Sequence, residues 1–152
     1  RIALVVPDFG TAGDLASEQS FREAIEPQDD ARVFVVRHNG TAASLTSRLD
    51  TLFKSAHPPT ALLVARTQYV FSVIMYLLNR GLGVPDAVSL IARDSDLMFE
   101  TADPPLAHYA FKSDAYIRQL CRLMLQLITE RPPSKPILIV PKFFAGRTVK
   151  PL

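Results

Sequence analysis

Tryptophan is missing from this 152-residue chain, cysteine occurs once, and neither sign of charge dominates, with 17 Lys+Arg against 15 Asp+Glu and a net charge of +2. With Cys121 alone, a disulfide within the chain is impossible, and neither a cysteine-based zinc site nor a secreted disulfide scaffold fits. A reducing, cytoplasmic setting is the expectation. The small charge excess argues against a DNA-gripping surface, which concentrates basic residues on one helix or stripe. Long apolar runs are lacking too: the longest, Tyr69 to Leu78, falls well short of the ~18 residues of a membrane-spanning helix. No internal repeat or low-complexity segment is visible. The first residue is Arg1 and no signal-peptide pattern follows it, so the chain reads as a segment of a longer protein.

What is present is apolar substance: 48% hydrophobic and 21% charged residues, enough to bury a core and to exclude global disorder. The length suits one soluble folding unit. Apolar runs at Arg1 to Val6, Arg32 to Val36, Thr60 to Ala65 and Val88 to Ala92 read as strands buried on both faces. Between them lie helix-length segments: Asp14 to Ile25 with Leu15, Phe21 and Ile25 apolar; a segment capped by Thr41 or Ser44 with Leu45, Leu49, Leu52 and Phe53 on one face; and Thr67 to Arg80, stopped by Gly81. Strands alternating with helices predict an α/β fold, a parallel sheet flanked by helices. The last third differs. Residues 112–152 hold eight basic and two acidic residues, an amphipathic helix over Asp114 to Thr129, and extended pieces at Pro136 to Val140 and Phe143 to Val149. That tail fits either the same sheet or a neighbouring lobe.

In open parallel sheets ligands sit beyond the carboxyl ends of the strands. The candidates are therefore Asp8 to Asp14, Arg37 to Thr41, Arg66 with Thr67, and Arg93 to Asp96, a mixture of arginine, aspartate and hydroxyl suited to a small polar ligand. Catalytic and cofactor patterns fail one by one. Gly10 to Gly13 is neither a dinucleotide fingerprint nor a Walker loop. His38, His57 and His108 lack metal-ligand spacing and read as surface or turn histidines. Cys121 falls in an apolar helical stripe and reads as a core residue. No serine has a nucleophile-elbow setting. A phosphate-accepting receiver domain needs an aspartate at the end of the third strand, where this chain has Ala65-Arg66-Thr67. No enzyme activity, metal or cofactor is expected.

From Thr60 onward a denser pattern emerges: Pro59-Thr60-Ala61-Leu62-Leu63-Val64-Ala65, then a helix ending Asn79-Arg80-Gly81-Leu82-Gly83-Val84-Pro85, then Asp86-Ala87-Val88-Ser89-Leu90-Ile91, Asp94 and Pro104-Pro105-Leu106. This resembles the effector-binding core of the LacI/GalR family of transcription regulators, a type I periplasmic-binding-protein-like fold. The resemblance implies that residues 1–111 form mainly the C-terminal lobe. Residues 112–152 would be the closing helix and strands that in the family cross between lobes, and the DNA-binding head would be absent. It also implies a cytoplasmic homodimer built on the third helix, through Tyr69, Val70, Phe71 and Ile74. Operator DNA would be reached only through the missing head, which could also be of another class.

The effector site departs from the family pattern. An Asn-Asp pair after the third strand is replaced by Arg66-Thr67, a helical arginine by Ser17, and of an aromatic-Asp-Asp motif only Asp94 remains beside Arg93. The expected ligand-binding set is Asp94, Arg66, Arg93, Ser17 and Thr67. Two arginines favour an anionic ligand, a sugar acid or sugar phosphate, over a neutral sugar; the competing expectation is that Arg66 or Arg93 pairs with Asp94 or Asp96 and closes an unused site. Two other functions compete with the regulator: a transport-type periplasmic sugar-binding protein, and a sheet enzyme with an unrecognised site.

Overall fold

The computed structural model describes residues 1–111, 113–129 and 139–151. In chain order the elements are β1 (Ile2–Pro7), α1 (Ala12–Ile25), β2 (Val33–His38), α2 (Ala42–Phe53), β3 (Ala61–Val64), α3 (Thr67–Asn79), β4 (Ser89–Ala92), α4 (Leu97–Thr101), β5 (Ala107–Ala110), α5 (Ser113–Ile128) and β6 (Lys142–Phe144). They build one sheet in the order β2-β1-β3-β4-β5-β6. The first five strands run parallel, with Leu4 opposite both Val35 and Leu63, and β6 returns antiparallel along β5. The four apolar runs of the sequence are the four central parallel strands. β1 is buried from Ala3 onward because helices lie against both sides of it.

Local chemistry sets the helix ends. Thr41 caps α2, its side chain accepting the Ser44 N–H at 3.2 Å. Gly81, at φ +69°, closes α3 with its N–H on the Leu78 carbonyl and that of Leu82 on Leu77. This paired bonding needs a left-handed residue, which glycine supplies without steric cost. One face of the sheet is closed by α2, α3 and α4: Ala3, Val5, Leu62, Val64 and Leu90 pack with Leu45, Leu49, Val70, Val73, Leu77 and Phe99. On the other face Leu4, Val6 and Ala65 make a much smaller cluster with Phe21 and Leu63.

The tail completes the sheet. β6 adds its edge, and the chain beyond it wedges between β4 and β5, where Thr148 is buried. The Thr148 hydroxyl donates to the Leu90 carbonyl at 2.7 Å and accepts the Ala107 N–H at 2.9 Å. Gly146, at φ +50°, lies so close to Leu106 and Ala107 that a Cβ would meet backbone atoms at 2.4 Å. The extended piece expected at Pro136 to Val140 falls mostly outside the described residues. Helix α5 forms over the expected stretch, but none of its residues is buried; Ile117, Leu120, Met124, Leu125 and Ile128 stand exposed. Cys121 shares that exposure, so its reading as a core residue is corrected: among the described residues the apolar stripe it belongs to is not buried. Among the described residues no helix is long and apolar enough to cross a membrane.

Candidate functional site

The crossover from β1 runs to β2 on one side, and the next, from β2, returns past β1 to β3 on the other, so the order reverses between β1 and β3. At such a switch point the loops diverge and leave a crevice at the carboxyl edge of the sheet. Three elements converge there: the start of α1 after β1, the β3–α3 junction at Arg66, and the β4–α4 loop at Arg93 and Asp94.

Asp14 is the centre of the cluster. It occupies the third position of α1 and reaches back so that Oδ2 accepts the Thr11 N–H at 2.9 Å and the Thr11 hydroxyl at 3.1 Å. The same oxygen accepts from Arg66 Nη2 at 2.5 Å, while Oδ1 accepts from Arg93 Nη1 at 2.9 Å. Arg93 turns its Nε and Nη2 to the two oxygens of Asp94, each at 3.3 Å. Gly10 sits close beside this arrangement: a Cβ there would stand 3.0 Å from that of Asp14 and would press on it. Burial alone would raise the Asp14 carboxyl, but the Thr11 N–H, Arg93, Arg66 and the Thr11 hydroxyl together hold it well below the usual carboxylate range. Burial also works against the charge on Arg93, and Asp94 and Asp14 outweigh it, raising its affinity for the proton.

Of the five residues expected from the sequence, Arg66, Arg93 and Asp94 are brought together. Ser17 lies on α1, half-buried one turn beyond Asp14, and Thr67 opens α3 beside Arg66. The side chains of Arg66 and Asp94 stay 37% and 42% exposed, against 4% for Asp14. The basis for expecting an anionic ligand is corrected: the two guanidinium groups face two carboxylates, so the cluster carries no net charge. The pairing partner is not Asp96, which caps α4 by accepting the Met98 N–H at 3.0 Å. Asp14 itself was legible only as one of several loop aspartates, although Thr11-Ala12-Gly13-Asp14 has the spacing of a capping pair at a helix start. A little further along α1, Glu18 is buried too and pairs with Arg22 and Arg37.

Two histidines depart from their expected surface placement. His38 ends β2 in full burial; its Nδ1 accepts the Gly40 N–H at 3.1 Å and its ring meets Tyr69 edge-on. Burial lowers its proton affinity, a tendency only partly opposed by Asp8. His108 is buried on β5, its Nδ1 2.8 Å from the Leu106 carbonyl and its ring stacked on Phe144. His57 is exposed, as expected. Among the described residues no group of three or more His, Cys, Asp or Glu side chains could hold a metal ion.

The expected dimer set divides by helical phase. Tyr69 and Val70 lie on the inner side of α3 and are buried in the chain's own core. Phe71 and Leu78, 59% and 58% exposed, lie on the outer side. With Ile74, Val84, Met98 and Pro104 they line an apolar groove of about 370 Å³ between α3 and α4.

Comparison with known proteins matches residues 1–149 to the periplasmic binding protein-like domain family. The HTH-type transcriptional regulator DegA of Bacillus subtilis is 30% identical over 116 residues, which cover 72% of this chain and 33% of DegA. A LacI family transcriptional regulator from Bifidobacterium animalis superposes with a TM-score of 0.84 at 18% identity, over 99% of this chain and 55% of that one. Another from Arthrobacter, in complex with lactose, gives 0.77 at 15% identity, over 98% and 56%. The chain thus spans about a third of DegA and little more than half of these structural relatives. Switch-point architecture and the matched family converge: the chain belongs to the periplasmic binding protein-like domain family, and it shares its fold with LacI-family transcriptional regulators.

Proposed function

We propose that this chain is the effector-sensing and dimerisation part of a LacI-type transcriptional regulator, and that its ligand is a small polar molecule such as a sugar or sugar derivative. One observation carries the reading. At the switch point the half-exposed Arg66 guanidinium and Asp94 carboxylate are the two ends of one chain of ion pairs that runs through Asp14 and Arg93, and their exposed flanks leave donors and acceptors for a ligand. A guanidinium donates and a carboxylate accepts, so the two together match the hydroxyl groups of a polyol; Arg93, Ser17 and Thr67 complete the proposed ligand-binding set. The Arthrobacter relative seen with lactose has the same fold and is consistent with such a ligand. No bond is made or broken in this scheme: the ligand favours one arrangement of the whole regulator over another, and that shift reaches operator DNA through a separate DNA-binding part.

The second half of the proposal is assembly. The groove between α3 and α4 exposes Phe71, Leu78 and Met98 together, an apolar patch that a second copy would cover. Phe71→Asp is expected to shift sedimentation from dimer to monomer; an unchanged assembly, or a wild type that is monomeric, refutes this part. Calorimetric titration with a panel of neutral hydroxyl-rich compounds tests the ligand part. At least one should bind, and Asp94→Ala should weaken it by about tenfold or more, equivalent to the loss of ~1.4 kcal/mol. Binding indifferent to both Asp94→Ala and Arg66→Ala would remove the site.

A further inference from the structure

The buried carboxylate at the centre of the site is not positioned to touch a ligand. Asp14 is 4% exposed, and both its oxygens already accept from Thr11, Arg66 and Arg93. Arg66 and Arg93 approach different oxygens of this one carboxyl group, from the loops that follow β3 and β4. They form a two-pronged receptor whose occupant is part of the protein. Guanidinium groups so arranged bind any oxyanion of suitable size, whether carboxylate or phosphate. As long as Asp14 fills that position and Asp94 faces Arg93 from the other side, an incoming anion meets a cluster without net charge and finds its subsite taken.

We propose that Asp14 is a specificity-determining residue that acts through Arg66 and Arg93: it stands in for an anionic ligand group, and so sets the site to select uncharged, hydroxyl-rich ligands over sugar acids and sugar phosphates. This rests on the ligand-site reading above and narrows it. Asp14 acts by position and charge, and the groups that meet the ligand are the outward sides of Arg66 and Asp94. Removing the carboxylate leaves two cations and one anion at the edge of the sheet, and Asp14→Ser also vacates the space between the two guanidiniums.

The test is calorimetric titration of the chain with inorganic phosphate, run on the wild type, Asp14→Asn, Asp14→Ser and Asp14→Glu, with thermal melting to establish that each variant is folded. The wild type and Asp14→Glu should show no saturable phosphate binding at millimolar concentration. Asp14→Asn or Asp14→Ser should bind it at least about tenfold more tightly than the wild type, as expected where one buried countercharge is lost near two cations. Adding Arg66→Ala to Asp14→Ser should abolish the gain, which a merely structural role for Asp14 would not predict. Wild-type phosphate binding as tight as that of the variants, or folded Asn and Ser variants that gain none, overturns the proposal. The neutral panel on the wild type tests the underlying site separately: failure there with phosphate gained in the variants refutes the sugar-site reading and leaves the charge masking intact.

Discussion

The two faces of this sheet share their strands and differ in almost everything else. Against α2, α3 and α4 the inward residues are aliphatic and aromatic, and the helices answer with Leu49, Val73 and Leu77, each fully buried. Against α1 the apolar cluster shrinks to Leu4, Val6 and Ala65, and the helix buries Asp14 and Glu18 toward arginines from neighbouring strands. Burial of apolar area is non-directional and scales with area. Ion pairs fix direction and contribute less net stability, because each charge must first shed water. The first face holds the fold together, and the second holds a few side chains in a defined arrangement at the carboxyl edge.

That contrast can be broken from either side. Leu77→Ala should cost about 2–5 kcal/mol in denaturant unfolding, the range for deleting a buried leucine side chain, and should leave the ligand affinity of the folded fraction unchanged. Asp14→Ala should cost less, about 1–3 kcal/mol, toward the lower end because water can solvate the exposed flank of Arg66, and should alter ligand selectivity. Reversed rankings in the two assays would dissolve the distinction between the faces. On the apolar side Thr41→Ala, which removes the α2 cap, should cost about 1 kcal/mol with no effect on binding.

Acid titration separates the faces as well. The folded state holds the Asp14 carboxyl below its unfolded value, so its contribution is complete above about pH 4 and declines as the pH falls further. The wild type should therefore lose more stability than Asp14→Asn on going from pH 5 to pH 2. His38 is also held below its unfolded value, so folding favours its neutral form, and stability falls as the pH drops through and below about 6.5. His38→Gln should flatten the curve between pH 7 and 5, the smallest of these effects; an unaltered slope would show that His38 is not the titrating group.

The parts of the fold that rest on apolar area could be read directly from the sequence. The runs Ala3 to Val6 and Leu62 to Ala65, the Thr41 cap and the Gly81 stop all lie where their patterns place them, because burial on both faces leaves a continuous apolar run and a left-handed helix stop requires glycine. Strand β5 escaped that reading. Its four residues, Ala107-His108-Tyr109-Ala110, have no β-branched run, and they become a strand through pairing with β4 and β6. The inward face of α1 was only partly legible for a related reason: of the apolar positions, Phe21 packs against the sheet but Leu15 is 58% exposed, while Asp14 and Glu18 turn inward because of Arg66, Arg93 and Arg37, distant in sequence. At the site, Arg66, Arg93 and Asp94 could be named from their places after strands. Their mutual neutralisation through Asp14 depends on crossovers that bring residues 14, 66 and 93 together, and no local pattern encodes it.

The most direct test of the central claim, that the carboxyl edge beside α1 is the ligand-binding surface, is side-chain nitrogen NMR of the arginines during titration with the neutral panel. The account predicts that a binding compound shifts the Arg66 and Arg93 guanidinium signals, leaves that of Arg80, paired with Asp50 on the opposite face, in place, and loses its effect in Asp94→Ala. A compound that binds by calorimetry yet leaves the Arg66 and Arg93 signals unmoved would contradict it.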